Sequence, residues 1–349
     1  MIVKQFPDRK TTINKTKFLY FGGTSYLSIA THKKFQKQLF KSIKKWGAFY
    51  GSSRNSNIKL AIYNKFETFF AKQIGAKDAL VVSSGTIAGR LTVDYLATKI
   101  TSFYHYPKTH PSILGINSKP LFVDGKLHPN LLNSTVEEIV ITADAVLALE
   151  VSPTSFGFLN NISEVKKITL LIDESHSLGI VGKNGKGIFN SISDVKIHRK
   201  IMVSSLGKGL GLSGGIIVSD VNFINKIKSE TLFVSASGAN PAYLDAYLKN
   251  VKIYEQQRQK LKANLTFFHS KLQSTNQLFF DKNYPVIYSK DVAIYQKLKE
   301  NGIIITNFKY PNYKDKMSRI VLTANHKKKD LKKLASVLNN VFFEKETKV

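Results

Sequence analysis

A lysine in a glycine-rich turn constrains the fold of this chain more than any other feature. Residues 201–218 read IMVSSLGKGLGLSGGIIV; the β-branched flanks predict two buried strands, with Lys208 in the turn between them. Glycines let a backbone approach a ligand closely. A lysine in a crowded apolar pocket loses proton affinity, and its amine can then form a Schiff base with an aldehyde such as pyridoxal phosphate. A solvated lysine in a flexible loop is the alternative interpretation.

A second apolar segment, upstream of the lysine, ends in an acid. Residues 167–177 read KITLLIDESHS, so Asp173 ends a predicted strand and His176 follows three residues later. The carboxyl ends of parallel strands face the ligand crevice of an α/β sheet. An aspartate there can keep a pyridine nitrogen protonated, which makes the ring an electron sink. Taken alone, Asp173 is also consistent with the N-cap of a helix.

Together these segments resemble the α-oxoamine synthases, a branch of the fold-type-I pyridoxal-phosphate enzymes. Residues 173–187, DESHSLGIVGKNGKG, are similar to the family's DEAHSxG…GxxGxG run, and the Lys208 loop is similar to that of its 8-amino-7-oxononanoate synthases. The resemblance implies an α/β fold, with a three-layer large domain of the aspartate aminotransferase type and a smaller α+β C-terminal domain. Alternating strand and helix signals between residues 60 and 230 independently predict an α/β domain.

The resemblance also implies domain boundaries. Residues 1–45 would pack with the small domain, 46–245 would form the cofactor-binding large domain, and 246–349 would form the small C-terminal domain. Within these domains, the apolar patterns predict a buried strand over 146–150 and one long helix over 241–270.

Four residues carry the cofactor chemistry that the resemblance implies. Lys208 would hold pyridoxal 5′-phosphate as a Schiff base, and Asp173 would keep the ring nitrogen protonated. His110, in the segment HPSI, would stack on the ring, and His176 would hydrogen-bond its phenolic oxygen. Lys208, once freed, would act as a general base.

Other residues would bind the phosphate, the ring oxygen and the substrate. Free amides at a helix N-terminus bind phosphate, so the turn after the strand at 79–82 is a candidate phosphate site, although a plain N-cap turn fits it equally. An arginine fork fits a carboxylate, although an edge-strand arginine could instead pair with surface acids. The residues that the resemblance assigns to these roles are Gly85, Thr86 and Ser205 for the phosphate, Ser237 for the phosphate of a neighbouring subunit, Thr154 (with Ser155 as the alternative) for the ring oxygen, Arg319 for the substrate carboxylate, and Thr24 at a substrate-contacting position where the family has asparagine.

The implied reaction condenses an amino acid with an acyl thioester, either acyl-CoA or an acyl carrier protein, and releases carbon dioxide to give an α-aminoketone. An aminotransferase, or another pyridoxal-phosphate chemistry on a small amino acid, is the main alternative, because it would share Lys208 and Asp173. A scaffold protein that has lost catalysis is a third class. The role of Ser237 implies a homodimer with its active site at the interface.

The amino-acid composition excludes some kinds of binding site and some cellular locations. The chain carries 52 basic and 24 acidic residues, a net charge of +28, but the lysines are scattered and no nucleic-acid-binding motif appears. This charge is consistent with a bias towards solvated lysines or with steering of an anionic thioester. Without any cysteine, disulfides and thiolate metal sites are excluded. No run resembles a signal peptide or a transmembrane helix, so a cytoplasmic location is expected.

Overall fold

The computed structural model describes residues 1–147, 149–273, 277–289, 291, 293–309 and 316–346. The strands, in chain order, are β1 (Lys10–Ile13), β2 (Thr16–Phe21), β3 (Asp78–Val82), β4 (Ser102–His105), β5 (Lys119–Pro120), β6 (Phe122–Val123), β7 (Lys126–Leu127), β8 (Glu137–Asp144), β9 (Lys166–Asp173), β10 (Ile197–Ser205), β11 (Gly215–Ser219), β12 (Leu278–Phe280), β13 (Val286–Ser289), β14 (Ile303–Lys309) and β15 (Lys316–Val321). The helices are α1 (Lys33–Trp46), α2 (Ala61–Ile74), α3 (Gly85–Ala97), α4 (Val221–Ile227), α5 (Thr231–Ser235), α6 (Pro241–Leu248), α7 (Val251–His269), α8 (Ile294–Glu300) and α9 (Lys328–Glu346).

The chain forms two compact units. The larger unit is Lys33–Val251, and the smaller unit combines Met1–His32 with Lys252–Val349. The first boundary falls after residue 32, whereas the sequence predicted it after residue 45. The difference is α1, which packs within the larger unit, where Ser42 donates a 2.6 Å hydrogen bond to Asp245 of α6.

The larger unit is built on a seven-stranded sheet in the order β3-β11-β10-β9-β8-β4-β5. Only β11 runs antiparallel to its neighbours, so the other strands share one carboxyl edge. The central strands are apolar and fully buried, as expected for parallel strands covered on both faces; Ile172 and Ile141 have no exposed surface. The shared carboxyl edge is therefore where a ligand crevice is expected.

A buried ion pair completes the open edge of this sheet at β3. Glu67 accepts a 2.7 Å hydrogen bond from the Val81 amide, and Arg54 donates a 2.9 Å bond to the Val81 carbonyl. Arg54 also forms a bidentate ion pair with Glu67, at 2.5 and 3.1 Å. Because an edge strand leaves backbone groups unpaired, this pair satisfies them and fixes the strand that leads into the candidate phosphate turn.

The smaller unit contains a six-stranded sheet in the order β1-β2-β14-β15-β13-β12. Its core includes His326, which stacks on Phe21 with ring centroids 4.0 Å apart. The His326 ring accepts a 2.9 Å hydrogen bond from the Thr323 amide and lies 2.9 Å from the Tyr20 carbonyl. Burial lowers the pKa of His326 to about 4, so the ring is neutral and acts as a structural connection between β2 and the turn after β15.

Two predicted elements differ from the structure. The helix predicted over 241–270 is two helices, α6 and α7, because the Asn250 side chain donates to the Ala246 carbonyl (2.8 Å) where the helix would continue. The prediction of a strand over 146–150 is wrong for the residues that the structure describes, which exclude residue 148. Strand β8 ends at Asp144, and a turn follows. Val146 and Leu147 are buried in that turn, so the apolar run indicated burial rather than a strand.

In the described part of the chain, no helix combines the length and the apolar composition needed to cross a membrane.

Candidate active site

The site centres on Lys208, which lies in the turn between β10 and β11. Its Nζ atom is 2.9 Å from Nε2 of His176, and both side chains are partly buried. The contact joins the turn after β10 to the turn after β9, the next strand in the sheet. The two motifs that the sequence placed together are therefore in direct contact.

Asp173 ends β9 at the carboxyl edge and is 7% exposed. Its Oδ1 accepts a 2.8 Å hydrogen bond from the amide of Ser175, which fixes the carboxylate at the carboxyl end of β9. The Ser175 hydroxyl in turn accepts a 2.8 Å bond from the Ser205 amide at the end of β10. The ends of two neighbouring strands are therefore held in register around the site.

His110 lies at the same edge, after β4, and begins a 3-10 turn over Pro111–Ile113. Its Nδ1 is 2.7 Å from the Ser112 hydroxyl and accepts from the Ser112 amide at 3.2 Å. Burial lowers the pKa of His110, the Asp173 carboxylate opposes that effect, and Lys208 lowers the pKa further. Asp173 and Lys208 are therefore both near enough to His110 to shift its pKa, in opposite directions.

The candidate phosphate turn lies against the end of β10. Ser84 is the N-cap of α3, and its hydroxyl accepts a 3.2 Å bond from the Ile87 amide. Gly85 and Thr86 are the first residues of α3, where backbone amides have no intrahelical acceptor. A Cβ atom on Gly85 would lie 2.7 Å from the backbone of Ser205. Only glycine permits this approach, which brings the N-terminus of α3 and Ser205 together.

Thr154 and Ser237 are placed differently. The Thr154 hydroxyl donates a 2.6 Å hydrogen bond to the carbonyl of Asp144, so Thr154 lies at the carboxyl edge beside the end of β8. Ser237 is exposed and forms an isolated β-bridge with Ser53. Among the contacts of the described residues, none joins Ser237 to the residues around Lys208, which leaves its predicted role with a neighbouring subunit as a prediction.

The two predicted substrate residues lie in the smaller unit. Arg319, in β15, is 9% exposed, and its Nη2 donates a 3.3 Å bond to the Gly23 carbonyl. Within the described part of the chain, its Nε is buried without a hydrogen-bond partner. The neighbouring Thr24 is half-buried, and its carbonyl accepts from the Tyr26 amide at 2.9 Å. A buried guanidinium with an unused donor is suited to an anionic ligand.

One residue of this edge was missed from the sequence. Asp144 ends β8 and is the register partner of Asp173 in the adjacent parallel strand. It is 3% exposed, and its Oδ1 accepts a 3.1 Å bond from the His110 amide. The segment EEIVITAD shares with KKITLLID the pattern of an apolar strand that ends in aspartate. That shared pattern was the available signal, but the predicted strand was placed several residues too late.

The residues at this edge fit pyridoxal phosphate. A primary amine, a buried carboxylate and a histidine follow three different strands at this edge. Gly85 brings the first turn of α3, whose amides have no intrahelical acceptor, against Ser205. Lys208 would hold the aldehyde carbon, Asp173 the ring nitrogen, and Gly85, Thr86 and Ser205 the phosphate.

Two family models match the chain. The model described as aminotransferase class I and II matches residues 157–338, which is more than half of the chain. The model described as DegT/DnrJ/EryC1/StrS aminotransferase family matches residues 57–195. The first match includes Asp173, His176, Lys208 and Arg319.

Individual relatives cover almost the whole chain. A putative 8-amino-7-oxononanoate synthase of Rippkaea orientalis is 22% identical over 97% of this chain and 93% of that protein. The 8-amino-7-oxononanoate synthase of Fervidobacterium nodosum is 24% identical over 91% of this chain and 87% of its own length.

Solved structures show the same fold. Serine palmitoyltransferase from Sphingomonas wittichii superposes with a TM-score of 0.77 at 18% identity, over 95% of this chain and 89% of that one. The 8-amino-7-oxononanoate synthase from Francisella tularensis gives a TM-score of 0.67 at 23% identity, over 94% and 99% of the two chains. The predicted fold class and the predicted resemblance to the α-oxoamine synthases are confirmed, as is the prediction of a pyridoxal-phosphate enzyme. The chain belongs to the aminotransferase class I and II family.

Proposed function

We propose that the chain joins an amino acid to the acyl group of a thioester and releases the amino acid carboxyl as carbon dioxide, which gives an α-aminoketone. The observation that carries the proposal is the contact of Lys208 with His176 beside Asp173 and His110. Relatives named 8-amino-7-oxononanoate synthase, similar over more than nine-tenths of the chain, support this reaction over other chemistries of the family.

Four side chains at the carboxyl edge have a part in this proposal. When bound, pyridoxal phosphate supplies an electron sink for negative charge at the α-carbon of the amino acid. The buried Asp173 carboxylate would keep the ring nitrogen protonated, and His110 would help to hold the ring. The Lys208 amine takes the α-proton, and His176, 2.9 Å from that amine, orients it.

Both proposed substrates carry anionic groups, which match the buried Arg319 guanidinium and the net positive charge of the chain. Arg319 would bind the amino acid carboxylate, since its Nε is a buried donor that no described group uses. The acyl donor would be acyl-CoA or an acyl carrier protein, both of which are anionic; the net charge of +28 favours encounter with either. Thr24 would lie beside the amino acid, where its short hydroxyl side chain contributes to the choice of substrate.

The proposal includes a homodimer, in which Ser237 donates its exposed hydroxyl to the cofactor phosphate of the partner subunit. A dimer would have twice the chain mass of 39.2 kDa, which light scattering on the purified protein measures directly. A monomer that is fully loaded with cofactor would contradict this part of the proposal. A cytoplasmic location stays a prediction from the sequence.

Thiol release provides the decisive assay. The purified protein would be mixed with pyridoxal phosphate, a panel of small amino acids, and acyl-CoA or acyl carrier protein thioesters, and freed thiol would be read with a thiol reagent. The chain contains no cysteine, so the reagent detects only released thiol. The proposal predicts that thiol is released only when the correct amino acid of the panel is present. One molecule of carbon dioxide should form for each thiol released.

The variant Lys208→Ala is the control, and it should give no thiol above the background of thioester hydrolysis. The aminotransferase alternative predicts a different result when a keto acid is added to the same mixture. The amino acid would be converted to its keto acid when a keto acid acceptor is added, with no thiol released. That outcome would contradict the acyl-transfer proposal while leaving the cofactor site intact.

A further inference from the structure

A second buried carboxyl lies beside the aspartate that is assigned to the ring nitrogen. Asp144 and Asp173 are register partners at the ends of the parallel strands β8 and β9. Side chains of register partners point to the same face of a sheet, so both carboxyls lie on the same side of the carboxyl edge. They are 3% and 7% exposed, respectively. The cofactor site therefore has two buried acids, of which the assigned chemistry uses one.

Asp144 connects two of the predicted site residues. Its Oδ1 accepts the His110 amide hydrogen at 3.1 Å, at the start of the turn in which the His110 ring is held by Ser112. Its backbone carbonyl accepts the Thr154 hydroxyl at 2.6 Å. A change in the Asp144 side chain would therefore first affect the position of His110, the residue assigned to the ring face.

Two carboxyls buried in one site do not both ionise readily, because their charges repel. The charged side chains that act on Asp144 are Asp173 and Lys208, and the backbone amide of His110 also acts on it through its hydrogen bond. Burial raises the pKa of Asp144 well above its ordinary range, and the Asp173 carboxylate raises it further. The His110 amide and Lys208 oppose these effects but do not reverse them.

We propose that Asp144 is a positioning residue of the cofactor site: a neutral carboxyl that holds His110 in place and leaves Asp173 as the single anion opposite the ring nitrogen. The inference rests on the cofactor that the proposed function uses, and not on acyl transfer. Asp144 thus acts through His110 and Asp173.

The variants Asp144→Asn and Asp144→Ala separate a neutral hydrogen-bonding role from an ionic one. Asparagine keeps an oxygen acceptor for the His110 amide and carries no charge, whereas alanine removes the acceptor. Asp124→Asn, at an exposed position in the turn between β6 and β7, is the control for an unrelated Asp-to-Asn change. The readouts are the dissociation constant of pyridoxal phosphate, from its visible absorbance on titration into apoprotein, and the pH midpoint of that absorbance.

We expect Asp144→Ala to weaken cofactor binding by about tenfold, because a buried amide loses its acceptor. In Asp144→Asn, the dissociation constant of the cofactor should stay within about threefold of the parent value. The pH midpoint should stay within about 0.3 unit of the parent value, because no charge is lost. Circular dichroism checks that each variant folds. If the alanine variant does not fold, the asparagine variant alone decides.

Two outcomes would overturn the proposal. A pH midpoint that falls by about one unit in Asp144→Asn would show that Asp144 is an anion in the holoenzyme, since removal of a negative charge disfavours the protonated cofactor. A folded Asp144→Ala variant with unchanged binding and midpoint would show that Asp144 positions nothing. Neither readout involves a thioester, so failure of the acyl-transfer proposal is recognised separately by the thiol assay.

Discussion

Glu174 directly follows Asp173, and its own contacts stabilise the fold of the loop around it. It has no exposed surface, and its Oε1 accepts the amides of Ile188 and Phe189 at 2.8 and 2.7 Å. Ser177 donates to its other oxygen. A Cβ atom on Gly187 would lie 2.2 Å from the carboxyl, so the glycine-rich segment closes tightly over it. Glu174 thereby fixes the loop that follows His176.

The carboxyl of Glu174 makes folding depend on pH. Burial raises the pKa of Glu174 from 4.5 to about 7, against the opposing hydrogen bonds from Ser177 and the two amides. The folded chain therefore binds more protons than the unfolded chain between these pH values. The unfolding free energy should fall as pH rises from 4.5 to 7, by about 3 kcal/mol in total.

Glu174→Gln should remove this dependence, because glutamine keeps the acceptor and carries no charge. Urea unfolding between pH 5 and pH 8 measures the effect. The variant should match the parent chain near pH 5 and exceed its stability at pH 8. Glu255→Gln, on the exposed side of α7, is the control and should follow the parent at every pH. Equal slopes for the parent and Glu174→Gln would contradict the assignment.

At the scale of single residues, the sequence indicated four of the residues to which we assign roles in the proposed site. Lys208, Asp173, His176 and His110 were each identified from a motif, and the structure brings them together at one sheet edge. Asp144 was missed because its position depends on where a neighbouring strand ends. An apolar run alone does not locate that end, since buried turns such as the one after β8 are equally apolar.

At the scale of elements, the approach of α3 to β10 decides how the phosphate turn is built. The first residue of α3 is Gly85, and the last residue of β10 is Ser205. Their backbones are close enough that any side chain at residue 85 would meet Ser205. The sequence showed a glycine at a helix start, but the reason for it comes from a strand more than one hundred residues away.

Gly85→Ala should weaken cofactor binding without unfolding the chain. The added Cβ would lie 2.7 Å from the Ser205 backbone, so the helix N-terminus must shift from the end of β10. Such overpacking costs about 1–3 kcal/mol, which corresponds to roughly a tenfold loss of affinity if it falls on the bound state. Titration of the apoprotein with pyridoxal phosphate measures the change.

The control for this variant is Gly157→Ala, where the added Cβ would meet only the Ser155 hydroxyl at an ordinary 3.6 Å. It should bind the cofactor like the parent chain. If Gly85→Ala retained the parent affinity, the N-terminus of α3 would not be the phosphate site.

At the scale of the whole molecule, the chain divides into two compact units whose bounds differ from the predicted domain boundaries. Strands from both chain ends form the sheet of the smaller unit, which the alternation of apolar residues indicates only locally. The sequence could not assign α1 to the larger unit, because an amphipathic helix does not show which surface its buried face meets. The split between α6 and α7 likewise depends on one asparagine side chain.

A substitution of Arg319, in the smaller unit, tests the proposed binding of the substrate carboxylate. If Arg319 binds the substrate carboxylate, Arg319→Ala should raise the KM for the amino acid by about 10- to 100-fold, from loss of charge-assisted hydrogen bonds. The visible absorbance of bound cofactor should not change. Arg9→Ala, which removes an ion pair with Asp330 in the same unit, is the control and should leave this KM unaltered. An unchanged KM in Arg319→Ala would remove the arginine from the substrate site.

The central claim is that one amine among many lysines carries the cofactor. Reduction of the holoprotein with borohydride, followed by digestion and mass spectrometry, identifies the residue to which pyridoxal phosphate is joined. Although the chain has 52 lysines and arginines, we expect the pyridoxyl group on Lys208 alone, because this amine lies beside His176 at the edge that also carries Asp173. A pyridoxyl group on another lysine, or on none, would contradict the account.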